Sequence, residues 1–432
     1  MIYRSTNNKS EKVDFREATI TGLAPDKGLF FPEQIPVLSV DFLKDLKSKS
    51  KAQLAYEIVA PYVGSSIPKE YLFKICEETV DFDFPLVKIK ENIYSLELFH
   101  GPTLAFKDVG ARFLSRCLGY FSKNSDKKTT VLVATSGDTG SAVANSFLGV
   151  EGVEVVILYP SGKVSLIQEL QLTTLGNNIT ALEVEGDFDD CQRMVKEAFA
   201  NKELNDHLNL TSANSINIAR WLSQQFYYFF ALQQWPHEKP PVISVPSGNF
   251  GNICAGLIAH KSGLPVTHFI AACNSNDAFY EYLQNGDYKT KASVPTISNA
   301  MDVGNPSNFV RVLELFDNDF KQIQNKISSF RISDEITKKT ISEVYENHNY
   351  LLDPHGAVAY TALDIYLKEN PTEKGIILET AHPLKFNNVV EPIIGEEIEI
   401  PLNVKTLLEK TKNSILISPT FQCLSNELLK WV

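Results

Sequence analysis

Residues 129–149 read TTVLVATSGDTGSAVANSFLG. The β-branched and apolar run Thr129–Thr135 predicts a buried strand, SGDTG a tight polar loop, and SAVANSFLG a helix. The same order recurs along the chain. Val153–Tyr159 (VEVVILY) precedes PSGK and a helix-like stretch ending at Gly176. Ile179–Val184 is followed by Asp187, a good N-cap residue, and an amphipathic segment. Val242–Val245 leads into PSGNFG and NICAGLIAHKSG, where Gly263 reads as a helix C-cap. Val266–Cys273 and Gly375–Leu378 add two further buried strands. Strand–loop–helix alternation over most of the chain predicts an α/β protein with parallel sheets. The first 80 residues break the rhythm at GLFFP (28–32) and Gln34–Pro36, and helix-like segments then run to Thr79. They are read as an N-terminal subdomain.

The chain has 432 residues, 41 of them Lys or Arg and 52 Asp or Glu, for a formal net charge of −11. That length suggests about two or three domains. The acidic balance argues against a general nucleic-acid or anionic-membrane binder, since phosphate backbones attract Lys and Arg. It leaves room for a small, locally basic anion site. Six scattered cysteines form no C-x-x-C pair, so neither a zinc ribbon nor a redox dithiol is legible, and a reducing compartment is expected. The first twenty residues are too polar and acidic for a signal or transit peptide. The longest purely apolar run, Phe226–Leu232, falls far short of the ~20 residues that span a bilayer. A cytoplasmic protein without a membrane or nucleic-acid partner is expected.

Ligands of open parallel sheets sit outside the carboxyl ends of the strands. Ser247–Asn252 (SGNFGN) follows a strand and opens a helix, so it is either a phosphate cradle or a plain Gly-rich turn. It is not a Walker loop, because Asn252 stands where Lys is required, and it lacks the G-x-G-x-x-G spacing of a dinucleotide site. Thr135–Ser141 (TSGDTGS) has the same placement, and its hydroxyls and N–H groups suit either a small carboxylate or ordinary helix capping. Lys107 opens a predicted helix among Leu104, Ala105, Phe106 and Val109. A desolvated lysine loses its proton more readily and becomes a nucleophile suited to Schiff-base chemistry. An amine of that kind with a phosphate cradle and a carboxylate cradle describes an enzyme that uses pyridoxal phosphate on an amino acid.

ELFHGPTLAFKD, ATSGDTGSAVA, ILYPSGKVS, NSINIAR, PSGNFGN, SNAMDVGNPSN, DPHGAVAY and TAHPLKF occur in this order. Together they make the chain resemble the threonine synthases of the bacterial and fungal type, a fold type II family of pyridoxal-phosphate enzymes, over roughly positions 1–400. The resemblance implies two parallel-sheet α/β domains with an added N-terminal subdomain. The expected division is 1–80 for the subdomain, 81–125 with 236–400 for a large cofactor domain, 126–235 for a small substrate domain, and 401–432 for a C-terminal extension.

Carried onto this sequence, the family pattern implies that Lys107 is the cofactor lysine. Gly248, Asn249, Phe250, Gly251 and Asn252 are then the cofactor-phosphate loop, and Thr380 meets the pyridine nitrogen. Ser136, Gly137, Asp138 and Thr139 face the substrate carboxylate, with Asp138 also beside the cofactor where related enzymes commonly carry Asn. For the substrate's own phosphate the candidates are Thr103, Lys163, Asn214, Ser215, Asn217 and Arg220, with Arg112 a further one. His100, His355 and His382 are expected near the site or as structural histidines. No metal is expected. The implied activity is conversion of O-phospho-L-homoserine and water to L-threonine and phosphate, the last step of threonine biosynthesis. A phospholyase of similar sequence acting on O-phospho-threonine or a related phospho-amino acid is the alternative. A monomer or homodimer is expected.

Overall fold

The computed structural model describes residues 1–123 and 128–431. Its strands are β1 (Tyr3–Ser5), β2 (Phe30–Pro32), β3 (Leu86–Lys90), β4 (Ile93–Glu97), β5 (Thr129–Ala134), β6 (Val153–Pro160), β7 (Ile179–Val184), β8 (Asn209–Ser212), β9 (Val242–Pro246), β10 (His268–Cys273), β11 (Ile327–Arg331), β12 (Gly375–Glu379) and β13 (Ile415–Ile417). They form a small antiparallel pair, β1–β2, and two larger sheets. One runs in the order β11-β10-β9-β12-β4-β3 and the other β13-β7-β6-β5-β8. The larger is parallel except for its edge, where β3 turns back on β4 as an antiparallel hairpin. The smaller is parallel throughout.

β5, β9 and β12 are buried at every position, as strands covered by helices on both faces must be. Alternate side chains then serve different cores. Val131, Val133 and Ile157 of the smaller sheet join Ile243, Val245 and Leu378 of the larger one in a central core shared with the N-terminal segment. Leu132, Ala134, Val156 and Leu158 face the opposite way, into a core with Cys191, Met194 and Leu424. The helix Pro354–Glu369 covers β9, β10 and β12. The helix Lys107–Ser122 packs on the helices Asp138–Phe147 and Ile218–Ser223, so it links the two large layers.

Residues 1–80 dock on the central core, and the Tyr3 hydroxyl donates to the Tyr62 carbonyl at 2.7 Å. The segment set apart as 401–432 adds β13 to the edge of the smaller sheet, parallel to β7 with Ile415 opposite Leu182. Lys412 fastens it there through Glu169 at 2.6 Å and Glu183 at 2.7 Å. The junction expected at 125/126 lies outside the described residues. The helix Gly251–Lys261 is capped at Ser262 rather than Gly263, which follows with φ +109°.

Candidate active site

Pairing of β12 with β9 sets Gly375 opposite Val242 and Ile377 opposite Ser244. The same register carried to the strand ends puts Thr380 level with Ser247. β4 lies on the other side of β12, with Glu97 opposite Glu379. Beyond Glu97 the chain folds back along the segment after β12. Phe106 N–H donates to the Thr380 carbonyl at 2.9 Å, and His382 N–H to the Leu104 carbonyl at 3.0 Å. Leu104 sits in the left-handed region at φ +58°, which turns the chain into the helix that Lys107 opens.

The Lys107 side chain is 15% exposed, and its Nζ lies 4.0 Å from Asp138 Oδ2. Burial presses its ammonium down to about 8, opposed by Asp138 and assisted by Arg220 and Lys385. A lysine in that range has a reactive neutral fraction near neutral pH. Asp138 opens its helix after Gly137, whose φ of +138° no side-chain-bearing residue adopts easily. The Thr135 hydroxyl accepts from Gly137 N–H at 3.0 Å and Gly140 N–H at 2.8 Å, which sets this turn. Asp138 Oδ1 accepts from the fully buried Lys385 at 2.7 Å and from Gln168 Nε2 at 2.9 Å. Burial alone would raise this carboxyl. Lys385 and Lys107 hold it well below the usual carboxylate range.

Lys385 Nζ also donates to the Thr103 carbonyl at 2.8 Å. Thr103 donates its N–H and hydroxyl to Asp108, at 2.9 and 2.5 Å. Burial pushes Asp108 up to about 6, with the Thr103 bonds acting the other way.

The second loop holds charge differently. Phe250 is left-handed at φ +64°, directly before the helix that starts at Gly251. The first N–H groups of a helix have no partner within it and, with the helix dipole, suit an anion. Gly248 is packed so tightly that a Cβ would lie 2.7 Å from Met301 Cα. The Ser215 hydroxyl accepts from Asn249 Nδ2 at 2.9 Å and Asn308 Nδ2 at 3.0 Å. Behind it lies Arg311, fully buried and stacked at 4.3 Å on Trp221. Arg311 donates to Asn308 Oδ1 and to the Ser215, Ile216 and Phe30 carbonyls, all neutral, and its Nε has no partner. A buried cation served only by neutral acceptors, below a helix N-terminus, fits a phosphate ester.

The remaining expected residues fall into two groups. Ser136 and Thr139 are half-buried beside Asp138. Arg220 is buried, donates to the Ala213 carbonyl at 2.5 Å, and keeps an unpartnered Nε. The Asn214 side-chain oxygen is likewise buried without a partner. Asn217 has no polar atom left for a ligand, since it donates to the Thr19 and Ser212 carbonyls and accepts from Ala219 N–H. Lys163 is exposed in the turn after β6, and Arg112 binds the Glu78 carbonyl and Asp81. His355 is locked by Asp353 at 2.5 Å and by Ala300 N–H. His100 pairs with Glu97, and His382 accepts from Leu384 N–H. Among the described residues no group of acids, His and Cys could hold a metal, and no helix is long and apolar enough to cross a membrane.

Lys385, Arg311 and Asn308 join the site without being among the expected residues, although Lys385 lies in TAHPLKF and Asn308 ends the NPSN run. Proximity to Asp138 and Ser215 arises only once the sheets are assembled.

A largely buried amine beside a carboxylate at one strand-end loop, with an anion cradle at another, is the equipment of a pyridoxal-phosphate enzyme, and residues 63–378 match the family described as pyridoxal-phosphate dependent enzyme. Residues 2–80 match the threonine synthase N terminus and residues 356–422 the threonine synthase C-terminal family. The chain belongs to the threonine synthase family. It is 43% identical to the threonine synthase of Buchnera aphidicola from Acyrthosiphon pisum over 98% of both chains. The crystal structure of threonine synthase from Escherichia coli superposes with a TM-score of 0.94 at 42% identity, covering 100% of both chains. The PLP-bound threonine synthase from Brucella melitensis does so with a TM-score of 0.93 at 33% identity, covering 99% of this chain and 98% of that one.

Proposed function

We propose that this protein converts O-phospho-L-homoserine and water to L-threonine and phosphate, with pyridoxal 5′-phosphate held between the two loops. The observation that carries the reading is the largely buried Lys107 amine set 4.0 Å from Asp138. When bound, the cofactor draws electrons from an attached amino acid, which lets protons leave its carbon chain and a γ-phosphate depart.

The protein's own groups do the rest. Lys107 would anchor the cofactor through its amine and, when free, would serve as the base and acid that moves protons at the α, β and γ carbons. Gly248–Asn252 hold the cofactor phosphate with backbone N–H groups, backed by the Arg311 charge. Thr380 would offer the pyridine nitrogen a hydroxyl rather than a carboxylate, a neutral partner with no negative charge to hold a proton there. The Ser136–Thr139 loop receives the substrate carboxylate. Asn214, Ser215 and Arg220 would supply donors for the departing phosphate, with the buried Arg220 guanidinium as its counter-charge, while Thr103, whose N–H and hydroxyl both go to Asp108, would shape the wall beside it. Residues 126–235 act as the small substrate domain, and its approach to 81–125 with 236–400 excludes bulk water until the final addition.

Incubating the cofactor-loaded protein with O-phospho-L-homoserine should release free threonine and phosphate in equal amounts. Release of a 2-oxo acid from O-phospho-L-threonine, without threonine from O-phospho-L-homoserine, would overturn the reading in favour of a phospholyase.

A further inference from the structure

One carboxylate in this site faces a fully buried lysine and a partly buried one at unequal distances. Lys385 is in direct contact with Asp138 Oδ1 at 2.7 Å, whereas Lys107 stands 4.0 Å from Oδ2, beyond hydrogen-bond reach. Gln168 Nε2 donates to the same Oδ1 at 2.9 Å, so the carboxylate is drawn to the Lys385 side. Lys385 has no freedom to leave. Its side chain is fully buried, its Nζ is also bonded to the Thr103 carbonyl, and it sits in the 3₁₀ turn Pro383–Phe386 that His382 caps. Asp138 is held from its own side by Gly137, whose conformation and contact with Gln168 leave no space for a side chain.

We propose that Lys385 is a positioning residue for Lys107. By claiming Asp138, it prevents that carboxylate from closing on Lys107 and locking the amine in its protonated, unreactive form. The proposal rests on Lys107 being the cofactor lysine. The other charged group bearing on Lys107 is Arg220, from the helix Ile218–Ser223; Asp108 lies beside it in sequence, and the Tyr227 hydroxyl donates to the Phe106 carbonyl. Arg220 pushes in the same direction as Lys385. Asp108 is engaged by Thr103 and Tyr227 by the backbone, so Asp138 is the carboxylate placed to capture the amine.

The test uses the full-length, cofactor-free protein. The reactivity of Lys107 toward acetic anhydride is followed against pH by mass spectrometry of its peptide. Recovery of the visible absorption band on adding pyridoxal phosphate is followed in parallel. Lys385→Met should raise the midpoint of Lys107 reactivity by about one to three pH units, the range a single nearby charge produces. Asp138→Asn should lower it, Lys385→Arg should leave it near the wild-type value, and the double variant D138N/K385M should fall between the two single ones. Coincident midpoints for wild type and Lys385→Met would overturn the proposal. If Lys385→Met does not fold, the wild type, Asp138→Asn and the double variant decide, and an unchanged or raised midpoint in Asp138→Asn is equally fatal. A merely structural Lys385 would change yield or stability without moving these midpoints in opposite directions. Failure of the wild type to develop the visible band, with the labelling shifts intact, would count against the cofactor reading and not against this one.

Discussion

The two strand-end loops occupy equivalent places, each between a parallel strand and the first turn of a helix, yet they manage charge in opposite ways. In Ser247–Asn252 the loop itself is neutral, and its one cation, Arg311, stands behind it among carbonyl oxygens. In Ser136–Gly140 the charge is within the loop, where Asp138 is shared between two lysines. Backbone amides and a recessed guanidinium suit a ligand that stays bound. A carboxylate poised between two amines suits a place where protons change hands. Similar βα turns are specialised by what the rest of the fold brings up behind them.

The largest effect is expected at the centre of the charged loop's influence. Lys107→Ala should abolish the visible band and lower turnover by at least about 10³-fold, within the range of a lost acid–base group. An unchanged band would break the comparison outright. Gly137→Ala comes next, since it forces a side chain into a conformation costing about 1–3 kcal/mol and against Gln168, 2.4 Å from the new Cβ. Both melting temperature and turnover should fall. Gly248→Ala tests the neutral loop. Its Cβ meets Met301 backbone, so the dissociation constant for pyridoxal phosphate should rise about tenfold or more, equivalent to ~1.4 kcal/mol, with Lys107 labelling unaffected.

A smaller effect concerns pH. Asp108 is pushed up to about 6 from an ordinary value of 3.8. The folded state therefore binds its proton more tightly than the unfolded chain does. That contribution is fully present below about pH 4 and is lost as pH rises through about 6. Denaturant midpoints measured across that window should show this loss in the wild type and a flatter profile in Asp108→Asn. The smallest change is expected for Lys163→Ala, an exposed turn residue, with stability altered by less than about 0.5 kcal/mol and KM little affected. A large rise in KM there would instead bring Lys163 into the phosphate site.

Much of the layer structure was legible because buried parallel strands are continuous apolar runs, as in Val153–Tyr159 and Ile179–Val184. The loops were legible because Gly and Ser must stand where strand gives way to helix. Short or polar strands were not. β8 (NLTS) and β11 (ISSFR) carry little hydrophobic signal and are defined by their neighbours. Lys385 gives no local sign of its burial, since a lysine after His-Pro-Leu looks solvated until Asp138 arrives from the other sheet. Arg311 is hidden in the same way, within a helix that is otherwise ordinary. Asn217, a phosphate-site candidate from the family pattern, is held in this structure by the Thr19 and Ser212 carbonyls and Ala219 N–H.

The strand β13 has a consequence for the order of events during synthesis. β7 is made early, and its outer edge waits for residues 415–417 to emerge and pair with it. Until then the smaller sheet presents a row of open hydrogen-bonding groups to any passing strand. Pairing replaces the six-residue edge of β7 by the three-residue edge of β13, a poorer template for another strand, and a chain stopped before residue 415 would keep the longer edge open.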